Sequence, residues 1–285
     1  MPEESQQELV VQGAAVRLRH SAHSDRGAIR AINEDSILAA PPVWLVADGM
    51  GGHERGDLAS QTVIETFASL AGSPAVTPHD VLDVVRAANE AVRALPGTGI
   101  SGTTLTGLVL VEIDGGGPHW MAVNIGDSRT YRWDGRSLEQ QSVDHSVTQE
   151  LLDQGLLSPE EALLPHPHRN VVTRALGADD EVEADVWLLP LRSTQVFLLC
   201  SDGLTKELPD DEIARIIVFH DQQIARNVDG PTLAERLVGA AIAAGGSDNV
   251  SVVVVESHLV SDVLTLSEDT IDRDFALVED TRPRN

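Results

Sequence analysis

The sequence predicts an α+β domain, and three observations carry that prediction. Helix-like and strand-like segments come in groups rather than in strict alternation, which disfavours a doubly wound parallel sheet. From Ser101 onward the apolar period changes from helical spacing to alternation, in runs separated by glycine-containing turns. Third, strand-like apolar runs end on acids. The chain is organised around residues 43–52, Val-Trp-Leu-Val-Ala-Asp-Gly-Met-Gly-Gly, where five apolar residues bounded by Pro42 lead into Asp48 and then Gly49, Gly51 and Gly52. Glycine there lets the backbone turn sharply and approach a ligand closely. The strand-then-acid pattern returns at Asp202-Gly203 after residues 196–201, and Asp248-Asn249 precedes the apolar run 250–255.

Taken in order, residues 1–12 are polar and read as a disordered N-terminus, and residues 14–20 alternate (Val16 and Leu18 against Arg17 and Arg19) as an edge strand does. Residues 24–35 are turn-like, and 36–39 and 43–47 read as paired strands around Pro41-Pro42. A helix over 55–70 places Ala59, Val63, Ile64, Phe67 and Ala68 on one face. A second follows a loop at 72–78, carries Val81, Val85, Ala88 and Val92, and is ended by Pro96-Gly97. Residues 103–113, 120–125, 128–133 and 137–140 read as an antiparallel meander. Two short helices are expected over 145–155 and 159–164, then a Pro/His loop at 165–168, then strands at 186–189 and 196–200. Pro209 opens a helix to 218 with Asp210, Asp211 and Glu212 in its first turn, as the helix dipole favours. A helix over 233–244 and a buried strand over 250–255 complete the domain. Residues 257–285 are acidic and weakly patterned and read as a tail, with one short docked segment at 260–266.

Composition narrows the function. The 285 residues suffice for a substantial core, and 42% hydrophobic with 23% charged residues is ordinary for a globular protein. Aromatics are 3%, so Val, Leu, Ile and Ala must fill the interior. A net charge of −25 disfavours nucleic acid and anionic membrane as partners, because phosphate groups need Lys and Arg. The single cysteine, Cys200, allows no internal disulfide and sits in an apolar run. There is no signal-peptide pattern and no apolar run near the ~20 residues of a membrane span, so a soluble cytoplasmic protein is expected.

Glu34, Asp48, Asp202 and Asp248 stand at strand ends. If they gather, each pair of carboxylates repels by roughly 4 kcal/mol at ~4 Å and an effective dielectric of 20. Lys and Arg look sparse near them in sequence, which leaves a divalent cation as the natural counter-charge. Oxygen-only ligands favour Mg²⁺ or Mn²⁺ over zinc. The plainer reading of each Asp-Gly alone is a turn.

Together, Arg30-Ala-Ile-Asn-Glu34-Asp35, Asp48-Gly49, Gly126-Asp127-Ser128-Arg129, Asp202-Gly203 and Asp248-Asn249 resemble, in family order, the motifs of the metal-dependent PPM/PP2C serine/threonine protein phosphatases of bacteria. The resemblance spans about residues 24–256 and implies an αββα sandwich of two antiparallel sheets flanked by helices, a phosphatase domain over 13–256, and a small flap subdomain at about 144–173. It implies that Asp48 bridges two Mn²⁺ or Mg²⁺ ions, that Asp202 and Asp248 complete one site, and that Glu34 and the Gly49 carbonyl serve the other. Asp35 would orient these ligands, Asp127 would hold a third and weaker ion, and Arg30 would bind the substrate phosphate, with Arg26 as its rival. The ions would lower the pKa of a shared water to give hydroxide near neutral pH.

Met50 stands where some members carry a histidine, so leaving-group protonation would fall to metal-bound water. His53, His166 and His168 read as loop histidines, and Ser101-Gly-Thr-Thr104 as sheet support. The expected partners are phosphorylated proteins, targets of Ser/Thr kinases, met by a monomer. Two alternatives stay open: a phosphoprotein-binding pseudophosphatase or scaffold on the same fold, and a dedicated regulator of one partner, such as an anti-sigma-factor antagonist.

Overall fold

The structure, a computed structural model, describes residues 4–51, 55–96, 101–158, 161 and 171–261. Two antiparallel sheets lie at its centre. The first has the order β1 (Glu4–Val11), β2 (Ala14–Asp25), β12 (Val250–Ser261), β11 (Thr194–Cys200), β8 (Arg129–Trp133), β9 (Leu138–Gln140). The second runs β10 (Asp185–Pro190), β7 (Gly117–Ile125), β6 (Leu105–Ile113), β4 (Val43–Gly51), β3 (Asp35–Ala40), and β5 (Ser101–Thr103) pairs with the far end of β4.

Alternate residues of the same strands feed different cores. Trp44, Val46, Leu108, Trp120, Phe197, Leu199, Val253 and Val255 fill the space between the sheets. There Trp44 and Trp120 lie 5.6 Å apart by ring centroid, and Trp120 and Phe197 5.5 Å. On the outer face of the second sheet, Val43, Leu45, Val109 and Val123 pack with α1 (Gly56–Phe67) and α2 (Pro78–Arg93). On the outer face of the first, Leu198, Cys200, Val252 and Val254 pack with α5 (Asp210–Ala225) and α6 (Leu233–Ala244). Both faces of the central strands are therefore buried, which is why they read as unbroken apolar runs. The result is four layers, αββα. Both α2 and α6 start in capping boxes, at Thr77 and Thr232, which satisfy otherwise orphaned N–H groups.

Several expectations are corrected. Residues 4–11 are not disordered: β1 pairs with β2 along its whole length, from Glu4↔Ser21 to Val11↔Ala14. The two-residue turn between them, Gln12-Gly13, has φ of 47° and 84°, the left-handed pair that matches the twist of a tight hairpin. The domain also runs past Glu256, because β12 continues to Ser261 against β2. The meander is not one sheet. β7 ends in the second sheet and β8 begins in the first, so the chain crosses at residues 126–128, where Gly126 takes φ 102°. Strand β4 continues past Asp48 to Gly51 instead of turning. Among the described residues there are also two short α-helices, α3 (Val147–Asp153) and α4 (Asp202–Glu207), and α4 was not anticipated. The expected helix at 159–164 (apart from residue 161), Gly52, His53, His166, His168 and the tail from 262 onward lie outside the described residues. Among the described residues no helix is long and apolar enough to cross a membrane.

Candidate metal centre

The acids meet where the two sheets end together. Asp35 opens β3 and is the register partner of Asp48 on β4, with Glu34 just before it. Asp202 begins α4 directly after β11, Asp248 immediately precedes β12, and those strands are paired neighbours. Asp127 lies in the crossing between β7 and β8. The Asp48 backbone is fixed on both sides: its N–H donates to Thr104 Oγ1 (3.0 Å), and its carbonyl accepts from Thr103 Oγ1 and Thr104 N (both 2.9 Å). Two glycines permit the convergence. A Cβ at Gly49 would come within 2.0 Å of the Gly56 carbonyl oxygen, and one at Gly203 within 1.9 Å of the Asn249 carbonyl oxygen. A side chain at Gly49 would displace the Gly56 and Glu34 backbone, and one at Gly203 the Asn249 backbone beside Asp248.

The acids act on one another electrostatically. Burial raises the Asp48 carboxyl well above the usual range, and the charges of Asp35, Asp202 and Asp127 raise it further. Asp35 is pushed up to about 7 by burial, against hydrogen bonds from Ser251 and Ser201 that hold it down, with Asp202 and Asp248 adding to the rise. Asp127 is likewise pushed up to about 7, by burial first and then by Asp202 and Asp144. Burial also raises Glu34. Asp248 goes the other way: burial would raise it, but the Lys206 ammonium and Arg30 overcome that and lower it.

The expectation that cations are sparse here is corrected. Lys206 Nζ lies 2.5 Å from Asp202 Oδ2 and 2.8 Å from Asp248 Oδ2. One turn of α4 brings it there, four residues beyond Asp202, and a six-residue helix leaves too little periodicity to be read from sequence. Arg30 Nη2 sits 2.8 Å from Asp248 Oδ1 with its side chain 48% exposed, so the guanidinium stands at the rim of the acid cluster. Arg26 instead donates to the Arg30 carbonyl (3.3 Å).

Among the described residues no three His, Cys, Asp or Glu side chains form a ready coordination shell. The donor set nevertheless fits a divalent ion. Its ligating groups are hard oxygens, and Asp35 Oδ1 and Asp202 Oδ1 are buried without a hydrogen-bond partner. Lys206 offsets only part of the repulsion at Asp48 and Asp127, whose carboxyls stay raised, as does that of Asp35.

Sequence reasoning missed the residues that hold this arrangement. Asn249 Nδ2 donates to the carbonyls of Arg26 and Ile32, and its Oδ1 accepts from the Glu34 N–H, all at 2.9 Å, tying down the loop that carries Arg30. Ser201 Oγ donates to Asp35 Oδ2 (2.8 Å) and accepts from Ser251 N (2.9 Å). His145 Nδ1 accepts from the Gly126 N–H (3.0 Å), which anchors the Asp127 turn, and its Nε2 faces Asp185 Oδ2 at 3.3 Å. Asp-Asn at 248–249 was visible in the sequence; the long-range partners of these groups were not. A cavity of about 60 Å³ lined by Asp127, Arg129, Asp144, Asp202 and Lys206 adjoins a groove of about 700 Å³ that shares Asp144 and includes His145, Arg174 and Asp185.

The family described as protein phosphatase 2C matches residues 21–240. The serine/threonine protein phosphatase PstP of Mycobacterium tuberculosis is 38% identical over 247 residues, which cover 84% of this chain and 45% of that protein. The chain thus spans under half the length of that relative. The serine/threonine phosphatase stp of Listeria welshimeri is 34% identical over 255 residues, covering 83% of this chain and 95% of that protein. The crystal structure of the catalytic domain of PstP in complex with two manganese ions superposes with a TM-score of 0.71 at 35% identity, covering 85% of this chain and 99% of that one.

Proposed function

This chain belongs to the protein phosphatase 2C family, and from that premise we propose that it hydrolyses phosphoserine and phosphothreonine in proteins with the help of bound Mn²⁺ or Mg²⁺. The observation that carries the reading is the gathering of Asp48, Asp35, Asp127 and Asp202, with Asp35 Oδ1 and Asp202 Oδ1 buried and unpartnered and with Arg30 at the rim against Asp248. Asp48, Asp202 and Asp248 would hold one ion, Asp48, Glu34 and the Gly49 carbonyl the other, and Asp127 a third. When bound, the ions supply Lewis acidity toward a phosphoryl oxygen and a lowered water pKa.

The protein's own groups bind and orient. The Arg30 guanidinium, half exposed at the rim, presents paired N–H donors to two phosphate oxygens, a geometry an ammonium cannot match. Asn249 fixes the loop that aims it, and Ser201 fixes the Asp35 carboxylate. Met50, on the strand just past Asp48, offers no proton to a leaving group. We place the catalytic unit within residues 4–261, acting as a monomer on targets of Ser/Thr kinases; the net charge of −25 favours neither nucleic acid nor anionic membrane as a partner.

The test is hydrolysis of an aryl phosphate and of a phosphothreonine peptide. Chelation abolishes both activities, Mn²⁺ restores them, and Asp48→Asn removes them at any Mn²⁺ concentration. Activity that persists in excess EDTA rejects the reading.

A further inference from the structure

The chain contains nineteen arginines and a single lysine, Lys206. That lysine stands inside the acid cluster, with Nζ 2.5 Å from Asp202 Oδ2 and 2.8 Å from Asp248 Oδ2. The Asp48 and Asp127 carboxyls also feel its charge. A compact ammonium can enter a cradle of carboxylate oxygens that a planar guanidinium would not fit, and its flexible stem lets it leave again. The side chain is 24% exposed, so the way out to solvent is open.

The oxygens it holds belong to the same two carboxylates that the proposed function assigns to a divalent ion. An ammonium and a metal ion on one carboxylate oxygen would lie within about 5 Å of each other and repel. Arg30 takes the other Asp248 oxygen, Oδ1, from the rim, so of the four oxygens on these two carboxylates Asp202 Oδ1 is the one left without a hydrogen-bond partner.

We propose that Lys206 is an internal counter-ion that competes with the divalent ion for Asp202 and Asp248, so that loading the site expels its ammonium from the cradle. The inference rests on the metal-dependent reading above. The lysine balances part of the cluster's charge when the chain folds, and it sets the metal affinity by opposing the ion rather than by ligating it.

Two measurements on the full chain test this. In calorimetric titration with Mn²⁺, Lys206→Met, which keeps the side-chain length without the charge, binds about tenfold more tightly than wild type, the equivalent of one displaced ion pair. Because Lys206 is the only lysine, limited acetylation read by mass spectrometry reports on one side chain, with the N-terminal amine as internal reference. Saturating Mn²⁺ raises labelling at Lys206 and leaves the reference unchanged. If Lys206→Met does not fold, labelling of the wild type decides alone. Equal or weaker Mn²⁺ binding by Lys206→Met, or Lys206 labelling that stays level or falls on Mn²⁺ addition, overturns the competition while leaving the metal reading intact. Absence of Mn²⁺ binding by wild type and variant alike overturns both.

Discussion

Replacing Asn249 by alanine separates the scaffold of the site from its ligands. The side chain is 4% exposed and makes three hydrogen bonds of 2.9 Å, to the Arg26 carbonyl, the Ile32 carbonyl and the Glu34 N–H. Each contributes about 1 kcal/mol net, so losing all three costs up to about 3 kcal/mol. Arg26 and Ile32 are exposed, and their carbonyls can turn to water, whereas the Glu34 N–H is partly enclosed. The expected loss is therefore about 2–3 kcal/mol. It falls on the loop that positions Arg30 and Glu34, not on either sandwich core. Urea unfolding of Asn249→Ala should show that loss at an unchanged m-value. Where the loosened loop must be reordered on substrate, the same energy appears as a drop in kcat/KM of up to about a hundredfold. Asn249→Asp keeps the acceptor for Glu34 but sets a carboxylate oxygen against the two carbonyls that Nδ2 now serves, so it should cost at least as much as the alanine variant. An alanine variant with stability within about 0.5 kcal/mol of wild type and normal kcat/KM would refute the assignment of Asn249 as the tie.

The chelated protein should lose stability as pH rises. Asp35 and Asp127 are held near 7 in the fold against about 3.8 unfolded, so their contribution is complete below about pH 4, declines between pH 4 and 7, and is gone above. Burial lowers His20 and His145, which subtracts stability below pH 6.5 and opposes this trend there. Melting in EDTA should therefore show a fall toward pH 8 that Asp35→Asn flattens; parallel curves for variant and wild type would contradict the electrostatic account. In the inter-sheet core, Trp44→Ala should cost about 3–5 kcal/mol by denaturant unfolding. Trp44→Phe should cost less than Trp44→Ala, because it leaves a smaller cavity and the buried indole N–H has no hydrogen-bond partner to lose. Equal costs for the two would contradict the cavity account of this core.

Local chemistry made part of this protein legible without a structure. Residues 43–47, 196–200 and 250–255 are apolar on both strand faces because each face meets a different core, and that doubling is written into consecutive residues. The faces of α1 and α2, the start of α6, and the acids placed at strand ends are likewise short-range patterns. What only the tertiary structure decided is pairing over long separations. Residues 4–11 become a strand only because residues 14–21 lie alongside them. The chain changes sheets at residues 126–128, which carries Asp127 to the junction, and nothing in a run of alternating residues records which sheet it will join. Asn249 reaches back more than two hundred positions to hold Glu34, and a six-residue helix turns the only lysine onto Asp202 and Asp248. A sequence expresses propensity and period over a few residues, whereas the charge balance of a buried cluster depends on distances between segments that only the packed sheets set.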